Sequence, residues 1–86
     1  MLTLFQRETC PYCRSVRERM TQLGLDYICI NLPKTRTERV VMQKITGNHF
    51  IPALIDGKNV IPGKLEFNQH ILDYLNLHFD RSENQR

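Results

Sequence analysis

The chain has no tryptophan, few glycines and prolines, and no long apolar run in its 86 residues. A membrane-spanning helix needs roughly 20 consecutive apolar residues, so no spanning segment is expected. The N-terminus, Met1-Leu2-Thr3-Leu4-Phe5, has no basic leader and no small-residue cleavage site, which argues against a secretory signal. Repeats and low-complexity linkers are also missing. There is no aromatic stacking ladder and no long basic stripe, so nucleic acid is not an expected partner. A structural zinc site needs about four ligands, usually as two closely spaced pairs. Here one cysteine pair stands beside a lone Cys29, and His49, His70 and His78 lack the paired spacing. No metal site is expected.

What is present describes one small globular domain. Forty-one per cent of residues are hydrophobic, enough for a core rather than a disordered chain. Three cysteines without an export signal suit a reducing compartment, so a cytoplasmic location is expected. The formal net charge is only +3. Arg7 and Arg14 lie close to the cysteine pair, where a positive field would favour a thiolate and attract an anionic thiol. Arg17 and Arg19 read as an ordinary solvated helix face.

The most informative feature is Cys10-Pro11-Tyr12-Cys13. It follows a strand-like run at residues 2–6 and opens a helix-like run at residues 11–23. A C-x-x-C at a strand-to-helix junction is a thioredoxin-type redox signature. Proline suits the first helical turn. Cys10 then sits beside unpaired helix N–H groups, which favour the attacking thiolate form. The ring the pair would close is too small to add much stability, which argues against a structural disulfide. Cys13, Val16, Met20 and Leu23 share one helical face, so Cys13 is expected to be buried and Cys10 exposed at the tip. Gly24 marks the helix end.

Residues 26–31 read as a second strand, with Cys29 as a small core residue. After Pro33, Thr35 and Glu38 have capping-box spacing. They open a helix to about Ile45, with Val40, Val41 and Ile45 for the core and Gly47 as its stop. Residues 52–55 and 59–61 read as strands around an Asp56-Gly57 hairpin turn. Pro62-Gly63 leads into a last helix over 64–78, with Leu65, Leu72, Leu75 and Phe79 on one face. The predicted order is β-α-β-α-β-β-α, a four-stranded mixed α/β sheet flanked by helices. The domain spans residues 1–79, and 80–86 form a polar tail.

Cys10-Pro11-Tyr12-Cys13, Lys44-Ile45-Thr46-Gly47, Ile51-Pro52, Asp56-Gly57 and Pro62-Gly63 together resemble the glutaredoxin family over about residues 2–78. Thioredoxins usually carry W-C-G-P-C, and this chain has no tryptophan. The stretch 51–57 and residues 71–75 also resemble the N-terminal domain of glutathione transferases. The resemblance implies a thioredoxin-like fold and a glutathione-dependent thiol–disulfide oxidoreductase, acting on protein disulfides and glutathione mixed disulfides. It makes Cys10 the nucleophile and Cys13 the resolving thiol. Tyr12 would line the groove, and Ile51, before a cis Pro52, would pair its backbone with glutathione. Arg7 and Lys44 would reach the glycine carboxylate. Gly63, Lys64 and Leu65 would offer helix N-terminal N–H groups to the γ-glutamyl carboxylate. Glutathione would be a co-substrate, with no bound prosthetic group, and the protein a monomer that meets disulfide-containing or glutathionylated partners.

The chain departs from the family pattern at three places, one of them Phe50, where the family often has a threonine before the X-Pro pair. Glutaredoxins usually carry Gly-Gly where Pro62-Gly63 stands, and then an aspartate for the γ-glutamyl amine where Leu65 stands. Glu66 is the only acid close by. Two alternatives follow: a redox carrier served by a flavoprotein reductase, and a non-enzymatic module binding glutathione or an iron–sulfur cluster.

Overall fold

The computed structural model describes residues 1–80, so the polar tail expected over 80–86 lies, but for Asp80, outside the described residues. The elements are β1 (Leu2–Gln6), α1 (Pro11–Gln22), β2 (Tyr27–Asn31), a 3-10 turn at Arg36–Glu38, α2 (Val40–Thr46), β3 (Ala53–Asp56), β4 (Asn59–Ile61) and α3 (Gln69–Phe79). The strands form one mixed sheet in the order β2-β1-β3-β4. β1 runs parallel to β2 and antiparallel to β3, with Leu4 opposite Cys29 on one side and Leu54 on the other. This is the predicted β-α-β-α-β-β-α order.

The alternation of β1 separates two cores. Leu2 and Leu4 join Val16 and Met20 of α1, Leu54 of β3, and Ile71 and Leu75 of α3. Phe5 points the other way and packs with Met42 of α2 and Ala53. Burying apolar area on both faces of a thin sheet is what holds so small a domain together. α1 ends in a Schellman closure: the N–H of Leu25 bonds Met20 O and that of Gly24 bonds Thr21 O, both at 3.0 Å. The left-handed turn this requires (φ 69) falls on Gly24. Among the described residues, no helix is long and apolar enough to cross a membrane.

Four expectations are corrected. Cys29 is exposed, because β2 is the outer strand of the sheet and residues 28–31 are open to solvent. Val40, Val41 and Ile45 are exposed, and α2 instead buries Met42 and Thr46, one turn apart. Thr35 makes no capping bond, and the chain before α2 is a 3-10 turn. The last helix begins at Gln69 rather than at residue 64. Residues 64–67 instead form a small loop with a bridge between Lys64 and Phe67, and Glu66 has a φ of 47°. Leu65 is therefore exposed and outside α3, whose buried residues are Ile71 and Leu75.

Candidate active site

Cys10 is the N-cap of α1, half-buried, with Pro11 at the first helical position. The backbone N–H of Cys13 donates to Cys10 Sγ at 3.4 Å. Both thiols are free, with Cys13 fully buried beneath the helix start. Burial pushes the Cys13 thiol up to about 12, and the hydrogen bond with Cys10 adds to the rise. The two sulfurs thus differ as the helical face predicts: one faces the surface and one is kept protonated inside.

A buried polar network anchors the loop that carries Cys10. Gln6, at the end of β1, has no solvent exposure. Its amide nitrogen donates to Glu8 Oε2 at 2.6 Å and to Asn31 Oδ1. Its amide oxygen accepts from Arg17 Nη1, which also reaches Glu8 Oε2 at 3.5 Å. A buried amide with its donors and acceptor in use is rigid, because leaving any of them unpaired is costly. The Cys10 N–H then bonds Arg7 O at 3.2 Å.

Cys10 opens into a cleft of about 180 Å³, lined by Arg7, Tyr12, Arg36, Arg39, Phe50, Ile51 and the loop Lys64-Leu65-Glu66. The peptide bond between Ile51 and Pro52 is cis. One wall is built around Arg39, only 5% exposed, which donates to Pro33 O at 2.9 Å, His49 O at 2.8 Å and Lys34 O at 3.3 Å. Burial, and then the neighbouring Arg7 and Arg36 charges, hold its guanidinium below the usual arginine range. Arg36 lies over the Phe50 ring, 5.6 Å from its centroid. Arg7 donates to Leu32 O at 2.9 Å.

The opposite wall, residues 62–67, is held by side chains at two of its carbonyls, and the residue after it ties to the C-P-Y-C motif. Asn48 donates to Gly63 O at 3.0 Å, His70 Nε2 meets Pro62 O at 2.7 Å, and Asn68 donates to Tyr12 O at 3.0 Å. Asn48 Oδ1 accepts the Phe50 N–H at 3.0 Å, tying the cis-proline loop to the same wall.

The glutaredoxin family profile matches residues 2–61, well over half of the chain. The chain belongs to the glutaredoxin family. A glutaredoxin-like 8.6 kDa protein in the rubredoxin operon of Clostridium pasteurianum, described as uncharacterized, is 29% identical over 76 residues, covering 87% of this chain and 96% of that protein. Rabbit (Oryctolagus cuniculus) glutaredoxin-1 is 31% identical over 68 residues, covering 72% of this chain and 64% of its own. The chain therefore spans a little under two thirds of that relative's length. In structure, the holo form of glutaredoxin C1 from Populus tremula x tremuloides superposes with a TM-score of 0.68 at 20% identity, over 90% of this chain and 75% of the other. A glutathione transferase homolog from Lodderomyces elongisporus, solved with two GSH per subunit, gives a TM-score of 0.67 at 28% identity, over 94% of this chain and 39% of the other. The fold is thioredoxin-like.

Arg7, Cys10, Tyr12, Ile51 and Lys64 line one cleft. Cys13 and Pro52 are buried directly behind it, and Gly63 lies against the backbone of Phe50 and Pro52. Lys44 is the exception: it is exposed in the last turn of α2 and does not line the cleft. Arg36 and Arg39 supply the positive charge on that wall instead. Sequence reasoning missed both, because they fall in the irregular stretch between Pro33 and α2. The signal available was the run Arg36-Thr37-Glu38-Arg39, two cations just after a chain-breaking proline. The loop at Gly63, Lys64 and Leu65 is not the start of a helix, so no helix N-terminus faces the cleft from that side. Among the described residues, no group of three or more His, Cys, Asp or Glu side chains gathers as a metal-ligand set.

Proposed function

We propose that this protein is a glutathione-dependent thiol–disulfide oxidoreductase. Cys10 thiolate attacks the glutathionyl sulfur of a mixed disulfide. A bond forms between Cys10 Sγ and that sulfur, the client's S–S bond breaks, and the client sulfur leaves as a thiolate that takes up a proton. A second glutathione, as thiolate, then attacks the glutathionyl sulfur on Cys10. It leaves as glutathione disulfide, and Cys10 returns to its starting state. With a protein disulfide, Cys10 thiolate attacks one client sulfur, the client S–S bond breaks and its other sulfur leaves as a thiolate that takes up a proton. Cys13 then loses its proton to solvent and attacks Cys10 Sγ, and the Cys10–client bond breaks to release the second client sulfur as a thiolate. The Cys10–Cys13 disulfide that results is reduced by two glutathiones, which leave oxidised as glutathione disulfide. Exchange through a mixed disulfide depends on access to the attacked sulfur and on the attacking thiolate.

The observation that carries this reading is the asymmetry of the pair. A half-buried Cys10 opens into a cationic cleft at a helix start, and a fully buried Cys13 aims its N–H at the reacting sulfur from 3.4 Å. Family membership supports it, as does the glutathione bound to the transferase homolog of similar fold. In this reading Arg7, Arg36 and Arg39 meet the glycine carboxylate, and Ile51 offers its backbone beside Tyr12. The side chains of Lys64 and Glu66 meet the γ-glutamyl carboxylate and amine. The test is turnover of a glutathione mixed disulfide coupled to glutathione reductase. Cys10→Ser should abolish it, and Cys13→Ser should retain it. Equal losses in the two variants would overturn the roles.

A second reading has its own observation. The Lys64–Phe67 loop replaces a helix N-terminus on one side of the cleft, and Lys44 stands away from the other. A cleft with fewer glutathione contacts suits a carrier reduced by a flavoprotein reductase. Slow reduction of the Cys10–Cys13 disulfide by glutathione, but fast reduction by such a reductase, would favour it.

A further inference from the structure

Among the described residues, the Cys10 cleft gathers positive charge. Four cations, Arg7, Arg36, Arg39 and Lys64, line the Cys10 cleft together with one acid, Glu66. The whole chain carries 12 Lys and Arg against 9 Asp and Glu. Taking away the cleft's four and one leaves eight residues of each sign. The cleft lining thus carries a formal charge as large as the net +3 of the whole sequence.

These charges are not neutralised from within. The ion pairs among the described residues join Arg14 to Glu18, Arg17 to Glu8 and Arg19 to Asp80, and none of them engages a cation of the cleft lining. Arg7 and Arg39 donate to neutral carbonyls only. Arg36 and Lys64 lie over the rings of Phe50 and Phe67. Carbonyls and ring faces orient a cation but leave its charge in place. Glutathione brings two carboxylates and one amine, a single net negative charge at neutral pH. One such ligand leaves the lining still positive.

We propose that the cleft selects client proteins whose reacting cysteine is set among carboxylates. This deepens the oxidoreductase reading and rests on it for the role of Cys10. A concave site lined by one sign of charge focuses the field and speeds the arrival of opposite charge, by about 10- to 1,000-fold in favourable cases. Like charge brought against it is disfavoured. The acidic surface of a client would therefore dock across Arg36 and Lys64, the exposed cations on the two walls. The disulfide would then lie over Cys10.

The test uses three peptides of one sequence, each with a single cysteine in mixed disulfide with thionitrobenzoate. The flanking residues are aspartate, glutamine or lysine. Cys10 Sγ bonds to the peptide sulfur, the S–S bond breaks, and coloured thionitrobenzoate leaves as the thiolate. No glutathione takes part, so the result is separate from glutathione turnover measured on the same preparation. Second-order rate constants for the reduced protein should fall in the order aspartate, glutamine, lysine. The first and last should differ by about tenfold at low salt, and the gap should close as salt rises. Arg36→Gln should slow the aspartate peptide more than the glutamine peptide. Equal rates for the three peptides, an inverted order, or a spread that salt leaves unchanged would overturn the proposal.

Discussion

Gly63 lies so close to Phe50 that a β-carbon on it would stand 1.9 Å from the Phe50 carbonyl oxygen and 2.5 Å from its carbon. The same β-carbon would meet Pro52 O at 2.8 Å. All three atoms belong to backbone, so none can turn aside as a side chain would. The two walls of the cleft touch main chain to main chain, and glycine is the residue that permits it. Gly63→Ala should therefore cost about 1–3 kcal/mol, the usual range for overpacking. In a domain this small that lowers Tm by at least about 4 °C. Calorimetry checks the stability. Weaker binding of glutathionylated substrates, with Cys10 still open to alkylation, checks that the wall has moved.

Arg39 holds three carbonyls on two segments, those of Pro33 and Lys34 on one and that of His49 on the other. Arg39→Leu leaves them without this donor and should cost about 1–3 kcal/mol. Arg39→Lys keeps a charge but cannot reproduce the planar fork, so its loss should lie between the leucine variant and wild type. Denaturant midpoints separate the three. A leucine variant as stable as wild type would show that the carbonyls find other partners.

Cys13 makes stability depend on pH in a definite direction. Its thiol is raised from 9.0 to about 12 in the folded protein, chiefly by burial. Between those values an unfolded chain has released the proton that the folded chain retains. The unfolded state binds fewer protons there, so stability falls as pH rises through that window. Cys13→Ser lacks this contribution. Under reducing conditions the advantage of wild type over the serine variant should shrink steadily above about pH 9. A difference that stays constant with pH would mean that the thiol is not held protonated.

Much of this architecture was legible from residue order, and the departures share a cause. Strand, turn and helix around Cys10 follow from local chemistry: alternation before it, Pro11 after it, and Gly24 at the far end. The apolar residues were harder to place. Ile28, Cys29 and Ile30 have the composition of an inner strand, yet β2 lies at the sheet edge. Nothing within the segment says which strand will be outermost. The start of α3 was misjudged for a related reason. Leu65 continues the helical apolar pattern, but Asn48, fifteen residues upstream, holds the carbonyl of Gly63, and His70 from the first turn of α3 holds that of Pro62. The usable signal was Asn68, a residue type favoured at helix starts, immediately before the apolar periodicity of Ile71, Leu72 and Leu75. Its side chain bonds Tyr12 O rather than the helix, which links the start of α3 to the C-P-Y-C motif.

Glu66 shows what that difference means for the site. In a helix begun at residue 64 its carboxylate would turn away from the neighbouring residue 65. In the loop, with φ at 47°, it joins the cleft lining. If it meets the γ-glutamyl amine, Glu66→Gln should raise the Michaelis constant for glutathionylated substrates by about two- to tenfold. That is the range of one net hydrogen bond, about 0.5–1.5 kcal/mol. Steady-state kinetics with a glutathionylated peptide measures it, and an unchanged constant would remove Glu66 from substrate contact.

The strand order has a consequence for how the site survives thermal motion. The loop bearing Cys10 leaves β1, and the Ile51-Pro52 loop enters β3; these are the two inner strands of the sheet. β2 and β4, with a neighbour on one side only, carry neither. Opening of a protein is stepwise, and edges detach at lower free energy than the centre. Amide protons of β2 and β4 should therefore exchange with deuterium well before those of β1 and β3. Partial melting of the rim would leave the Cys10 and Ile51-Pro52 loops joined by the ladder between Phe5 and Ala53, while the 62–67 wall, which leaves β4, and the Arg36–Arg39 wall, which follows β2, should loosen first.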